Sequence, residues 1–516
     1  MTLLELPSTL AGTNKIILAF YLAVAFFFYW VVVLLYRRYF HPLSHVPGPA
    51  LAITGLYEFY FDGIQKGQFY REMERVHKIY GPVVRVGPNE VHLTDPSNYD
   101  KLYSMTTKFT KDPAFYSVFG NPESHFSMIS NEMHRKQRAA LNPFFSKKSV
   151  LLQEDIVQEK AQQLCDRVEQ DTFSDNKCYL SQIFRALSMD VISEYSFGEQ
   201  SRFEFLSAPD LGMWWNDMLR GLNEMLPLAK LAPGLLMAMQ SLPDWVSVKI
   251  NPVVRGMVSC QMTCREMVDS FQKQRDAGVK PNRKTIFHGL IDASDRGELK
   301  GIRMSRQYLV DEAFSILGAA AETVANSLTV GAYHILSNPH IYSKLTRELG
   351  DKFQDKSDMT YTELNQLPYL TAVIKEALRT SYGVIKPLPR ICPVGGAVFN
   401  EILIPEGTVV GMSCWFLHRH PDAFPDPDKF DPERWLADQD IHRLDRYLVP
   451  FSRGSRGCIG QNLAWAEMYI TLGHLFYRFD DLTTEMTPED MKFESYFGVF
   501  RSVKAKPLMV ARKKIL

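Results

Sequence analysis

The sequence predicts a mostly α fold with small β-sheets, preceded by an N-terminal transmembrane helix. Three observations predict it. Residues 16–36 form an uncharged run of Leu, Val, Phe, Ala, Tyr and Trp. Strand-like alternation between turn residues is confined to two short stretches, near 82–93 and 390–412. Between them, most segments carry the apolar spacing of helices.

As a helix, the run from Ile16 to Tyr36 spans roughly 30 Å, the hydrocarbon thickness of a bilayer. Arg37 and Arg38 follow at once, which places that end in the cytosol. The run is too long for the apolar core of a cleaved signal peptide. Residues 1–15 are then lumenal, 16–36 the anchor, and 37–50 a stiff Pro-rich hinge, because three prolines within residues 42–49 exclude a regular helix. Residues 51–516 read as one domain, with no linker, repeat or low-complexity tract.

The chain of 516 residues holds 58 Lys+Arg and 58 Asp+Glu, so its formal charge is zero. A nucleic-acid binder would show a basic excess. The seven cysteines are odd in number and irregular in spacing. Only Cys260 and Cys264 are close, and no second pair completes a zinc site. Reduced, buried thiols in a cytosol-facing protein are expected for all but Cys458.

The alternation from Pro82 to Leu93 between turn signals predicts a short β-rich patch. The longest helix is predicted over Ser305–Leu336, stopped by Asn338-Pro339. Its centre, Phe314 to Asn326, is apolar on nearly every face and therefore buried. Gly318, Ala319, Ala320 and Ala321 are small enough for a flat object to approach the backbone. Glu322 in that run is a buried acid, which is unfavourable unless paired or functional.

Phe451-Ser-Arg-Gly-Ser-Arg-Gly-Cys-Ile-Gly460 brackets Cys458 with glycines at 454, 457 and 460. Glycine reaches backbone conformations closed to other residues and admits a ligand closely. Gln461–Leu475 reads as the helix that follows, so the thiol sits at a helix N-terminus with Arg456 two positions away. Both features favour the metal-binding thiolate. Elsewhere, Glu376 and Arg379 share a helix face, as do His134 and Arg138.

The Cys458 segment resembles the haem-binding loop of the cytochrome P450 family, matching Phe451, Gly454, Arg456, Cys458 and Gly460 of its Phe-x-x-Gly-x-Arg-x-Cys-x-Gly pattern. Glu376-Ala-Leu-Arg379 resembles the family's Glu-x-x-Arg helix. Arg434, in Phe430-Asp-Pro-Glu-Arg-Trp435, resembles the third member of its Glu–Arg–Arg cluster. Ala319-Ala-Ala-Glu-Thr323 is similar to the oxygen-activating groove, with Ala320 in place of the usual Gly and Val324 in place of a common Ser or Thr.

The resemblance implies a cytochrome P450 fold and a heme b cofactor ligated by Cys458. It implies His134, Arg138, Arg390 and Arg456 as propionate partners. O2 activation would use Thr323 as a hydrogen-bonding group and Glu322 as a proton carrier. Electrons would come from NADPH through a cytochrome P450 reductase at the endoplasmic reticulum membrane, with the catalytic domain cytosolic. The leader Tyr39-Phe-His-Pro-Leu43 and the spacing before Cys458 are similar to filamentous-fungal members such as the trichodiene oxygenase group.

That likeness implies hydroxylation or epoxidation of a terpenoid or similar metabolite. Apolar candidates to face a lipophilic substrate are Phe115, Phe119, Phe314, Leu317, Val384 and Phe497. Leu226–Trp245, broken by Pro and Gly, suits an interfacial patch or core packing. Two rivals are a reductase-independent isomerase or dehydratase of the same family, and a haem electron carrier or gas sensor. The acid–threonine pair weighs against the first; the lack of a second axial ligand or output domain weighs against the second.

Overall fold

The computed structural model describes residues 8–175, 177–232, 234, 252–279, 282–299, 301–437, 441–501 and 508–512. The first helix, α1 (Ser8–Tyr39), extends past the expected end of the apolar run and includes both arginines. Its segment Ile17–Tyr39 has a mean hydropathy of 2.5 and none of it is buried, which makes it a candidate transmembrane span.

The segment expected to be a stiff hinge docks on the domain. Leu43 and Val46 are buried in the core beneath the main sheet. Arg85 donates to the carbonyls of Arg37 and Leu43, and Arg37 to that of Ile53. Proline removes helix here without removing contacts.

Among the described residues, six helices longer than ten residues lie between α1 and the centre of the domain: α2 (Phe69–Tyr80), α3 (Asn131–Leu141), α4 (Glu154–Asp175), α5 (Leu180–Phe197), α6 (Met213–Leu231) and α7 (Pro252–Asp276). After α8 (Ile286–Asp295) comes α9 (Arg306–Ser337), the expected long helix. Ser305 caps its N-terminus by accepting from the Tyr308 N–H. Asn338 ends it and caps α10 (Pro339–Lys352), accepting from the His340 and Ile341 N–H groups, with Pro339 where no N–H is needed. The last long helices are α11 (Pro368–Ser381) and α12 (Gln461–Arg478). The large helical core forms around α9, which packs on α5, α7 and α11.

The main sheet runs β1-β2-β5-β4-β3, from β1 (Val83–Gly87), β2 (Glu90–Leu93), β3 (Thr110–Lys111), β4 (Arg390–Ile391) and β5 (Val409–Met412). The β1–β2 hairpin pairs Val83 with Leu93 and Val84 with His92. The β2–β5 pair is parallel, and β4 is antiparallel to both β5 and β3. That last pairing sets Lys111 directly opposite Arg390. Two cations opposite each other are unfavourable without a shared anion. The first part of Leu226–Trp245 ends α6, with Pro227 and Ala229 buried and Leu228 and Leu231 exposed; residues 233 and 235–245 lie outside the described residues.

Candidate functional site

Cys458 lies in a tight loop between β5 and α12. Its N–H donates to the Phe451 carbonyl at 2.8 Å, and Gly457 N–H to Gly454 O at 3.0 Å. Only one of the three glycines needs its special conformation. Gly454 has φ +72°, and a side chain there would strike the carbonyl oxygens of Tyr103 and Ser104 at 2.4 and 2.5 Å. Gly457 and Gly460 have φ −59° and −79°, which any residue adopts. A side chain at Gly460 would meet nothing within 4 Å, so this glycine supplies space.

The other six cysteines are buried, whereas Cys458 opens to an internal cavity of about 350 Å³. The cavity is deep in the protein, and burial pushes the thiol up from its ordinary value, opposed by the Gly460 N–H and by Arg138. The sequence points to Arg456 as the activating charge. The structure turns that guanidinium away, onto the carbonyls of Met128 and Ile129 and the Asn131 side chain. Arg138, which donates to Gly457 O at 2.8 Å, is the cation acting on the sulfur.

Lys111, His125, His134, Arg138 and Arg456 all line the cavity. Burial pushes His134 down to about 2, helped by Arg456 and then Lys111. Lys111 is driven well down by burial, then by Arg390, Arg456 and Arg138. Arg456 falls to about 9 through burial and then Arg390. These basic groups are enclosed with one another's charge. Arg390, expected with them, is not among the cavity-lining residues. It is buried in the sheet, donating to the Tyr116 hydroxyl at 3.1 Å and the Pro389 carbonyl at 3.0 Å.

The far wall is α9. Ser315, Gly318, Ala319, Glu322, Thr323 and Asn326 face the cavity. They follow the spacing of one helix face. Phe314 and Leu317, expected at the substrate, fall on other faces and are buried in the helical core. A helix apolar on nearly every face gives little phase from its sequence, so the cavity-facing side is settled only by packing. Val384 and Phe497 do line the cavity. Phe115 and Phe119 stand behind Phe497, at ring distances of 5.9 and 5.1 Å, and Phe126, absent from the sequence expectations, takes the lining position.

The cytochrome P450 family model matches residues 47–509. The chain is 34% identical to N-acetyltryptophan 6-hydroxylase of Emericella nidulans, covering 90% of this chain and 93% of that protein. It is 34% identical to the monooxygenase TRI4 of Trichoderma arundinaceum over 88% of each chain. With conidiogenone synthase of Penicillium rubens it shares 35% identity over 88% of this chain and 91% of that one.

The chain belongs to the cytochrome P450 family. It is a P450 monooxygenase, and haem iron is the cofactor the family implies. The residues fit that group. One open thiol faces the small residues Gly318–Ala320 across the cavity, and enclosed Lys111, Arg138 and Arg456 suit two carboxylates.

Two charge networks stand around this P450 site. Glu376 and Arg379 are wholly buried. Glu376 Oε1 accepts from Arg379 Nη2 at 2.7 Å, Asp431 N at 2.9 Å and Arg434 Nε at 3.2 Å. Oε2 accepts from Arg379 Nε and from Trp435 Nε1, both at 2.9 Å. Trp435 is a member that sequence reasoning missed, since a lone indole donor leaves no spacing signal. The second network corrects an expectation. Glu322 does not hang free as a carrier to solvent: Arg185 on α5 grips it at 2.7 and 3.0 Å. Beside it, the Thr323 hydroxyl donates to the Ala319 carbonyl at 3.0 Å.

Proposed function

We propose that this P450 holds heme b between the Cys458 loop and α9 and inserts one oxygen atom from O2 into a lipophilic or aromatic small molecule. The product would be a hydroxylated or epoxidised fungal secondary metabolite, with electrons from NADPH through a cytochrome P450 reductase. The observation that carries the reading is that Cys458, the one exposed cysteine of the seven, lines a cavity shared with Gly318, Ala319, Ala320, Glu322 and Thr323 of α9. Thiolate-ligated haem supplies reductive O–O cleavage.

The chain's own residues do the rest. Cys458 would hold the haem iron, and the Gly460 N–H donates to its sulfur. Lys111, Arg138, Arg456 and His134 would hold the propionates, with Arg390 behind them. The Thr323 hydroxyl can leave the Ala319 carbonyl and donate into the cavity. Glu322, fixed by Arg185, would orient the water that brings a proton. The buried Glu376–Arg379–Arg434 cluster would keep the segment before the Cys458 loop in place.

Phe126, Phe497, Val384, Leu388 and Ile316 give the cavity an apolar wall; Asn223 and Lys386 give it a polar edge. That mixture supports a terpenoid substrate, as the fungal likeness implies. It supports equally an indole, as in the relative named N-acetyltryptophan 6-hydroxylase. α1 would anchor the protein once in the endoplasmic reticulum membrane, with residues 1–15 lumenal and the catalytic domain cytosolic.

The test is Cys458→Ser in the membrane-bound protein. The red-shifted ferrous–CO Soret band and product formation with reductase and NADPH should both disappear, because an alcohol cannot replace the thiolate. A retained band would assign the ligand to another cysteine.

A further inference from the structure

His125 and Glu312 form a buried pair on the cavity wall that neither the sequence motifs nor the proposed mechanism uses. Glu312 lies on α9 with no exposure, three turns before Thr323. One of its oxygens accepts the His125 N–H at 3.0 Å; the other is bonded to His125 Nδ1. Next to it, Asp311 accepts the Glu123 N–H at 2.9 Å. Consecutive acids on α9 thus strap down the segment before α3. The same segment supplies Phe126 to the cavity wall and the carbonyls of Met128 and Ile129 to Arg456.

The strap fixes the ring as well as the chain. With Nδ1 engaged by a carboxylate the ring's orientation is set, and the doubly protonated ring then carries a second N–H at Nε2. Nε2 has no hydrogen-bond partner among the described residues. His125 lines the cavity together with Lys111, Arg138 and Arg456, and its ring centroid is 6.3 Å from that of His134. A histidine ring that donates at both nitrogens bridges two carboxylates. Glu312 is one of them.

We infer that His125 is a further anchor for a haem propionate, donating from Nε2, and that Glu312 is the positioning residue that aims it. The inference rests on the haem reading above and deepens it. Its geometry differs from that of the basic groups beside it. Lys111 and Arg456 spend donors on main-chain carbonyls, whereas His125 is held by an anion from behind and offers one directed donor. A hydrogen bond of this charged kind contributes roughly 1.5–3 kcal/mol, about 10- to 100-fold in binding.

The test uses the full-length, haem-loaded protein and two readouts besides turnover. One is the resonance Raman propionate-bending band, which falls when a propionate loses a hydrogen bond. The other is the rate of haem transfer to excess apomyoglobin. His125→Phe should lower the band and speed transfer about ten-fold or more, while the ferrous–CO Soret band stays put because Cys458 is untouched. Glu312→Gln keeps the ring and the strap's shape; it should shift the band the same way by less, and it serves if His125→Phe does not fold. An unmoved band in Glu312→Gln together with unchanged transfer in whichever variant folds overturns the inference. A wild-type protein lacking the thiolate CO band would instead overturn the haem reading beneath it.

Discussion

Two Glu–Arg pairs flank the site, and their surroundings set them apart. Around Glu376 and Arg379 every donor and acceptor is used: the carboxylate takes five bonds and the guanidinium adds the carbonyls of His418, Pro427 and Lys429. Both residues are wholly enclosed. Glu322 faces the cavity, and the hydrogen bonds to its carboxylate come from Arg185. A saturated buried network fixes structure, because removing any member strands the others. A pair with an open side can exchange partners, which is what proton handling needs.

The comparison can be broken at either pair. Glu376→Ala should have the largest effect. It strands Arg379 in the core at roughly 3–5 kcal/mol, a large share of a typical net stability. Haem content after purification should fall to near zero; normal content would mean that the pair is dispensable.

Thr323→Ala, beside the open pair, should spare folding and divert chemistry. NADPH consumption should continue, hydrogen peroxide should rise, and product per NADPH should fall several-fold, less than the roughly 10²–10⁴-fold attributed to a positioned general acid or base, because ordered water can still deliver protons. Val324 next to it carries no hydroxyl to take over. An unchanged product-to-NADPH ratio would remove Thr323 from the mechanism.

Arg185→Ala and Glu322→Gln sharpen the contrast further. Each should slow turnover with haem content intact, and the double variant should be little worse than either single one, since contacting residues act as a unit. Additive losses would show that the two act separately.

The smallest effect concerns Glu467 on α12, which touches the cavity and bonds to the Ser188 hydroxyl. Burial raises it from 4.5 to about 7, against the opposing Ser188 bond. Between these values the unfolded chain has lost this proton and the folded chain has kept it, so stability falls as pH rises through that window. The span amounts to roughly 3 kcal/mol. Glu467→Gln should flatten the decline of Tm between about pH 5 and 7, read by thermal melts of the haem-loaded protein. Parallel slopes for the two proteins would contradict the assignment.

Much of the site is contiguous in the chain and therefore legible there. The Cys458 loop needs Gly454 because neighbouring carbonyls press on it, and that requirement is written as a glycine at a fixed offset. Glu376 and Arg379 are one turn apart, so helical spacing alone joins them. His125 with Glu312, Arg185 with Glu322, and Lys111 with Arg390 lie 187, 137 and roughly 280 positions apart. No periodicity links residues at such separations.

The sequence by itself determined the class of fold, the membrane-length first helix, the long α9 with its cap and stop, and the glycine-bracketed cysteine that opens to the cavity. Each follows from local rules: turn residues, helix caps, apolar run length, and a glycine where φ must be positive. Tertiary structure alone decided which face of α9 meets the cavity, that Arg138 rather than Arg456 acts on the thiol, that Arg390 stands behind the site, and that the proline segment after α1 is docked. Those outcomes depend on what packs against each residue, and packing is a property of segments brought together by the fold.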